Sequence, residues 1–357
     1  MAKERWRGLK GPGLDPESQI AYLESRGITF ERIDKAEAAA YLRDVGGFMR
    51  TASYKSLYPK TTGIVNVPQD SASVDRRDNL GGNGGQRKSS RDKVNAGSRG
   101  GSAQISRYMG LDFSELVDLT EIDHLLRITF LPIALDVEQA AKLSLLYQAN
   151  KHHEDPYGLV IDYMDSLSGG RKARLEAELE DRRGDSDVYE GDLIDKYAGD
   201  MPVWVFAEAL DFGDFLELWG YCAGRWHNDD LREMRYLLKD VKDLRNACAH
   251  GSAVLNGITT GTFPHDAPKM LSSGLSGAQI GTPDERTRWL KNPRTLQMLA
   301  TLWASSHIVR SDDRRQAARE GLDSLLQRCR LHADWYTDVE PLTSAYRFFS
   351  QSVRAWY

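Results

Sequence analysis

Along most of the chain, apolar residues recur every three or four positions, the period of helices that bury one face. Asp15-Pro16-Glu17-Ser18 reads as a helix start, with aspartate as cap, proline in the first turn and glutamate at the positive end of the dipole. That helix carries Ile20, Tyr22 and Leu23 and should stop near Gly27. A second starts at Asp34 with Ala38, Ala39, Tyr41 and Leu42, and Gly46-Gly47 interrupts it before a short element with Arg50 and Tyr54. Leu116, Leu119, Ile122, Leu125 and Leu126 predict a helix from Phe113, which Pro132 should end or kink near Leu131. Leu135, Ala141, Leu145 and Leu146 continue the period to about Asn150. Lys172 to Arg183 is a charged helical stretch, broken at Gly184-Asp185-Ser186-Asp187. Pro202 opens a helix with Val203, Phe206, Ala207 and Leu210; Gly213-Asp214-Phe215 turns the chain before Leu216 and Trp219.

From Asp230, one stripe holds Leu231, Met234, Leu238, Val241, Leu244 and Cys248. A second holds Arg235, Lys239, Lys242 and Asn246, and His250 extends it. Residues 251–284 read as loop, and Leu296–Val309, Ala317–Cys329 and Leu342–Trp356 as closing helices. Period-two alternation is almost absent, so the predicted fold class is all-α. Three regions follow from the pattern: an N-terminal helical region (1–62), an insertion (63–104) and a helical domain (105–357).

The insertion changes the picture of charge. It contains Gly81-Gly82-Asn83-Gly84-Gly85 and Gly100-Gly101, many serines and few apolar residues. Between Ser71 and Arg107 eight Lys/Arg face three Asp. Such a composition predicts a flexible basic loop. It serves either as a solvated insertion or as an arm that touches RNA, with Arg87, Lys88 and Arg91 as candidate contacts. The glycines are no phosphate cradle, because no Gly-Lys-Ser/Thr follows them.

The whole chain has 357 residues, 41% of them apolar, and a net charge of −5. A core of good size is affordable, and any nucleic-acid contact has to be local. The cysteines Cys222, Cys248 and Cys329 lack zinc-ligand spacing and fit a reducing cytosol. The apolar stretch around Ile128–Leu135 is too short for a bilayer, and no apolar run follows Met1-Ala2-Lys3-Glu4-Arg5-Trp6. The expectation is a cytoplasmic protein with no membrane partner.

The stretch Arg245-Asn246-Ala247-Cys248-Ala249-His250, followed by Gly251, carries the candidate chemistry. RNA supplies its own nucleophile, the 2′-hydroxyl. Cleavage then needs proton transfer, which histidine performs near neutral pH, and charge stabilisation at phosphorus, which the planar guanidinium of arginine provides. Asn246 and His250 lie four apart, on one helix face. Arg245 and His250 lie five apart, roughly 140° around an ideal helix, so Arg245 reaches around or the helix loosens at its end. Gly251 suits such an ending. One motif supplies one histidine, so a complete acid–base pair calls for a homodimer with two motif helices facing across a two-fold axis. The same spacing also arises without catalysis, with Arg245 in an ordinary salt bridge and His250 closing the helix. Arg235, Lys239 and Lys242 are further candidate RNA contacts on the motif helix.

The motif resembles that of HEPN ribonucleases, and the wider chain resembles the Abi-like abortive-infection family (the AbiD/AbiF group), whose members contain a HEPN-type domain. Tyr22-Leu23-Glu24-Ser25-Arg26-Gly27-Ile28 resembles that family's opening, and Tyr41-Leu42, Phe48-Met49-Arg50 and Tyr54 its next step. Asp123-His124-Leu125-Leu126-Arg127 with Glu138 resembles its Asp-x-x-Leu-Arg helix, and Pro202-Val203-Trp204-Val205 with Phe212-Gly213 a later one. Leu244 to His250 followed by Asn256 is similar to its Arg-Asn-x-x-Ala-His signature, and Arg347-Phe348-Phe349 to Trp356 to its closing helix. The resemblance spans most of residues 20–357 outside the insertion. It implies a HEPN-like helical bundle, and a metal-independent endoribonuclease that acts as a toxin in bacterial defence against phage. It also implies a small non-coding RNA as a possible partner and no cofactor. Arg245, Asn246 and His250 are the implied catalytic set. Asp123, Arg127 and Glu138 orient the site or form a structural ion pair.

Other constellations have plainer readings. His152-His153-Glu154-Asp155 is a surface turn rather than a metal site, so no metal ligand is assigned. Trp204, Trp219 and Trp226 are assigned to core packing, as is Cys248. A non-catalytic RNA-binding or regulatory module is the alternative of another class; a DNA-acting or divalent-metal nuclease is a further one.

Overall fold

The computed structural model describes residues 13–66, 102–259 and 266–357. Among the described residues the fold is all-α, apart from one two-stranded ribbon, and its contacts divide it into two compact units.

The first unit comprises Met1–His124, Leu255–Gly261 and Leu331–Thr343. It contains α1 (Pro16–Ser25), α2 (Lys35–Asp44), α3 (Phe48–Thr51), strands β1 (Lys60–Asn66) and β2 (Ser102–Tyr108), and the first turns of α4 (Phe113–Lys151). Asp15 and Asp34 cap α1 and α2, their carboxylates accepting from the backbone N–H of Ser18 and Glu37. Leu23, Tyr54, Leu111, Phe113 and Leu116 are fully buried. The strands pair antiparallel, from Lys60 opposite Tyr108 to Asn66 opposite Ser102.

The second unit comprises Leu125–Val254, Thr262–Arg330 and Ser344–Tyr357. The rest of α4 is followed by α5 (Pro156–Ser166), α6 (Gly169–Asp181), α7 (Gly191–Lys196), α8 (Val203–Ala209), α9 (Phe212–Arg225), α10 (Asp229–Ala249), α11 (Lys269–Gly277), α12 (Pro283–Leu290), α13 (Pro293–Ile308), α14 (Asp312–Arg330) and, from Ser344 on, α15 (Glu340–Trp356). α10 packs on α9 and α13. It buries Leu231, Leu237, Leu238, Val241, Leu244 and Cys248, each aliphatic side chain stabilising the fold by about 1.5–3 kcal/mol.

Several elements depart from what the periodicity predicts. α4 runs through Pro132 unbroken for 39 residues. Pro132 is exposed, while Phe130, Ile133, Ala134 and Val137 beside it are buried, so packing on both sides outweighs the one lost backbone bond. Gly213 lies within the first turn of α9, because the Asp211 carboxylate caps that turn through Asp214 N–H at 2.7 Å. α11 stands where a loop was expected. Its Leu271 and Leu275 are fully buried one turn apart, and a Cβ at Gly274 would run into the Trp303 indole. α12 begins at the capping box Thr282–Glu285, inside the same expected loop. The strand ribbon was not anticipated from the alternation pattern; its pairing brings together segments 36 or more residues apart, a contact local periodicity does not report. Met234 is half-buried rather than a full member of the apolar stripe.

Candidate functional site at the end of α10

α10 ends as its sequence dictates. Gly251 takes φ +66°, a left-handed conformation that glycine adopts without steric cost. Its N–H donates to the Cys248 carbonyl at 3.2 Å, and the Ser252 N–H reaches back to Ala247 at 2.9 Å. Both bonds of a Schellman ending are present. His250 is the residue at the break, helical in its backbone bond to Asn246 (2.9 Å) and with its side chain exposed. The imidazole makes no hydrogen bond or ion pair among the described residues. It lies outside the core, open to solvent.

Arg245, half-buried, reaches toward α4. Its Nη1 donates to the Oδ1 of Asn246 at 3.0 Å, and its Nε lies 3.5 Å from the Oε2 of Glu138 on α4. Asn246 therefore helps to orient the guanidinium. Glu138 is largely buried, and its Oε2 makes no hydrogen bond. Burial raises its pKa, opposed by Arg245 and Lys142 and assisted by Asp211 and Glu208. Lys142, one turn along α4 and buried, pairs with Glu208 of α8 at 3.2 Å. The guanidinium stays about one-third exposed, so an anion can still reach it.

Arg127, also buried, donates to the Ser252 carbonyl at 3.4 Å, fixing the chain just past the helix end. Within the first unit, the fully buried Asp123 accepts from the Leu255 N–H at 2.7 Å, and Asn256 accepts from the Ser56 hydroxyl at 2.9 Å. Asp123 and Arg127 thus bind loop backbone, while Glu138 is the second-tier residue that touches Arg245.

The remaining candidates separate. Arg235 spans to α9, donating to the Leu216 carbonyl at 2.8 Å and pairing with Glu217 at 2.7 Å. A Cβ at Gly220 would stand 2.6 Å from its Nε, so glycine there makes room for it. Lys239 is exposed, and Lys242 is half-buried, 3.7 Å from Asp243. Arg87, Lys88 and Arg91 lie outside the described residues.

Cys248 is buried, which pushes its thiol up to about 11. His152 stacks on Trp226 at 4.8 Å, Glu154 pairs with Arg225 at 2.7 Å, and Asp155 caps α5. Trp219 is core, its indole N–H bonded to the Leu231 carbonyl. Trp204, expected in the core, is 44% exposed and meets Tyr157 edge-on. Asp240 on α10 joins the titratable groups only in the structure: half-buried, its pKa is pushed up to about 7, first by burial and then by Asp243. An aspartate in a charge-rich helix carries no sequence signal of this. Among the described residues no group of three His, Cys, Asp or Glu is arranged to hold a metal ion, and no helix is long and apolar enough to cross a membrane.

Residues 95–256 match the Abi-like protein family. The matched segment holds α4 to α10, the Schellman ending and Asn256, and so contains Asp123, Arg127, Glu138, Arg245, Asn246 and His250. It is narrower than the motif resemblance over residues 20–357. No curated protein and no solved structure matches the chain.

Proposed function

We propose that this protein is an endoribonuclease of the HEPN type, acting as a toxin in abortive infection against phage. The observation that carries this reading is the last turn of α10: an exposed imidazole at His250, and an arginine, Arg245, oriented by Asn246 and still open to an anion. The similarity of residues 95–256 to Abi-like proteins supports the defence role.

In the proposed reaction the 2′-oxygen of RNA attacks the adjacent phosphorus as a base takes its proton. The bond from phosphorus to the 5′-oxygen breaks, and an acid protonates that oxygen. The products carry 2′,3′-cyclic phosphate and 5′-hydroxyl ends. His250 performs one proton transfer, and Arg245 binds the phosphoryl oxygens as charge builds on them. A second copy, docked about a two-fold axis, supplies the other histidine, so the active form is a homodimer. The residues named need no metal for these steps.

The test is expression of wild type, His250→Ala and Arg245→Ala in bacteria, with growth and RNA integrity followed and RNA ends mapped. Toxicity and cyclic-phosphate ends in wild type, lost in His250→Ala while RNA affinity persists, are the expected results. Equal loss of binding and toxicity in His250→Ala favours a non-catalytic RNA-binding module, and cleavage that stops in EDTA favours a metal nuclease.

A further inference from the structure

Away from the α10 site, α5, α6, α7 and the start of α8 enclose an open cleft of about 640 Å³, within the ~300–1,000 Å³ range of ligand pockets. Its floor is apolar. Val160, Ile194 and Phe206 are buried beneath it, Met164 and Met201 flank them half-buried, and Ile161 stands 57% exposed at the lip. Next to the cleft, the exposed Trp204 rests against Tyr157, which lines it.

The rim is acidic. Its two cations are already taken: Lys172 pairs with Asp165 at 2.7 Å, and Arg183 pairs with Glu180 and with Asp195, each at 2.8 Å. The side-chain carboxylates of Glu176 and Asp200, both exposed, make no salt bridge or hydrogen bond among the described residues. Glu176 feels the Lys172 ammonium one turn away, but that cation already serves Asp165. Asp165, Glu176, Glu180 and Asp200 outnumber Lys172 and Arg183 along the lining, so an anionic or purely apolar occupant is disfavoured. Methionines give such a floor the adaptability that suits a helix face. The lining runs from α5 across α6 and α7 to α8, with exposed residues on each of α5, α6 and α7, so the cleft is solvent-accessible and can receive a segment of polypeptide.

We propose that this cleft docks a cationic amphipathic helix of a partner protein. The helix sets its apolar face on Val160, Ile194, Phe206 and the two methionines, and its lysines or arginines on Glu176 and Asp200. The cleft shares no residue with the α10 site.

The test uses the full chain with methyl-labelled methionine. Two synthetic helical peptides are titrated in, sharing one leucine face and carrying either lysine or glutamate on the other. Met164→Leu and Met201→Leu assign the two resonances. The expected result is saturable shifts of both methyls with the leucine–lysine peptide and none with the leucine–glutamate peptide. Glu176→Lys combined with Asp200→Lys weakens binding by about ten-fold. Ile161→Asp, at an exposed position, weakens it without unfolding the chain. Shifts confined to other methionines, or undiminished affinity in the charge-reversed variant, would overturn the proposal.

Discussion

The Nε of Arg245 lies 3.5 Å from the Oε2 of Glu138, and that carboxylate oxygen has no hydrogen bond of its own. Arg245 is therefore held on one side by Asn246 and on the other by a buried counter-ion. A phosphate that binds this guanidinium competes with Glu138 for it. Glu138→Gln keeps the shape and removes the competing charge. Combined with His250→Ala to suppress turnover, it is expected to tighten RNA binding by about two- to five-fold in fluorescence anisotropy, the scale of a part-exposed ion pair. Unchanged affinity would separate Arg245 from phosphate recognition.

Arg235 and Lys239 sit on the same helix with opposite fates. Arg235→Ala removes the bond to the Leu216 carbonyl and should cost about 1–3 kcal/mol in denaturant titration, with RNA affinity unchanged. Lys239→Ala, at an exposed position, should leave stability within about 0.5 kcal/mol. If Lys239 touches a phosphate, its loss lowers RNA affinity and reduces the salt slope by about 1.

Asp240 links stability to pH. Its pKa rises from 3.8 to about 7 on folding, so the native state holds a proton that the unfolded chain has lost. The contribution is full below about pH 3.8 and falls away as the pH rises through about 7. Asp240→Asn should flatten this dependence and raise the melting temperature at pH 7–8 relative to wild type. Thermal melts across pH 5–8 check it; a parallel pair of curves would contradict the raised pKa of Asp240.

Gly251 closes α10 at φ +66°. An alanine there pays the left-handed cost of about 1–2 kcal/mol and loosens the turn that carries His250. Gly251→Ala should lower the denaturation midpoint and increase amide exchange at Ser252, whose N–H closes the ending at 2.9 Å.

The boundaries of α1, α2 and α10, and the position of His250 at a glycine stop, were all legible along the chain. Caps, prolines and the three-to-four period act between residues within a turn or two of each other, so the local sequence contains their whole cause. α11 was not legible, because Gly274 is explained only by the indole of Trp303 on another helix. The continuity of α4 through Pro132 likewise depends on packing either side of the proline. At the site, the residue types and spacing of Arg245, Asn246 and His250 were readable in advance. Which neighbours they meet was not: Arg235 turned to Leu216 and Glu217, and Glu138 turned to Arg245. Those pairings join residues from about twenty to more than a hundred positions apart. Periodicity within one segment sets which face of a helix is buried, but the partner across that face, and with it the charge state of a residue such as Asp240, is decided only when the helices pack.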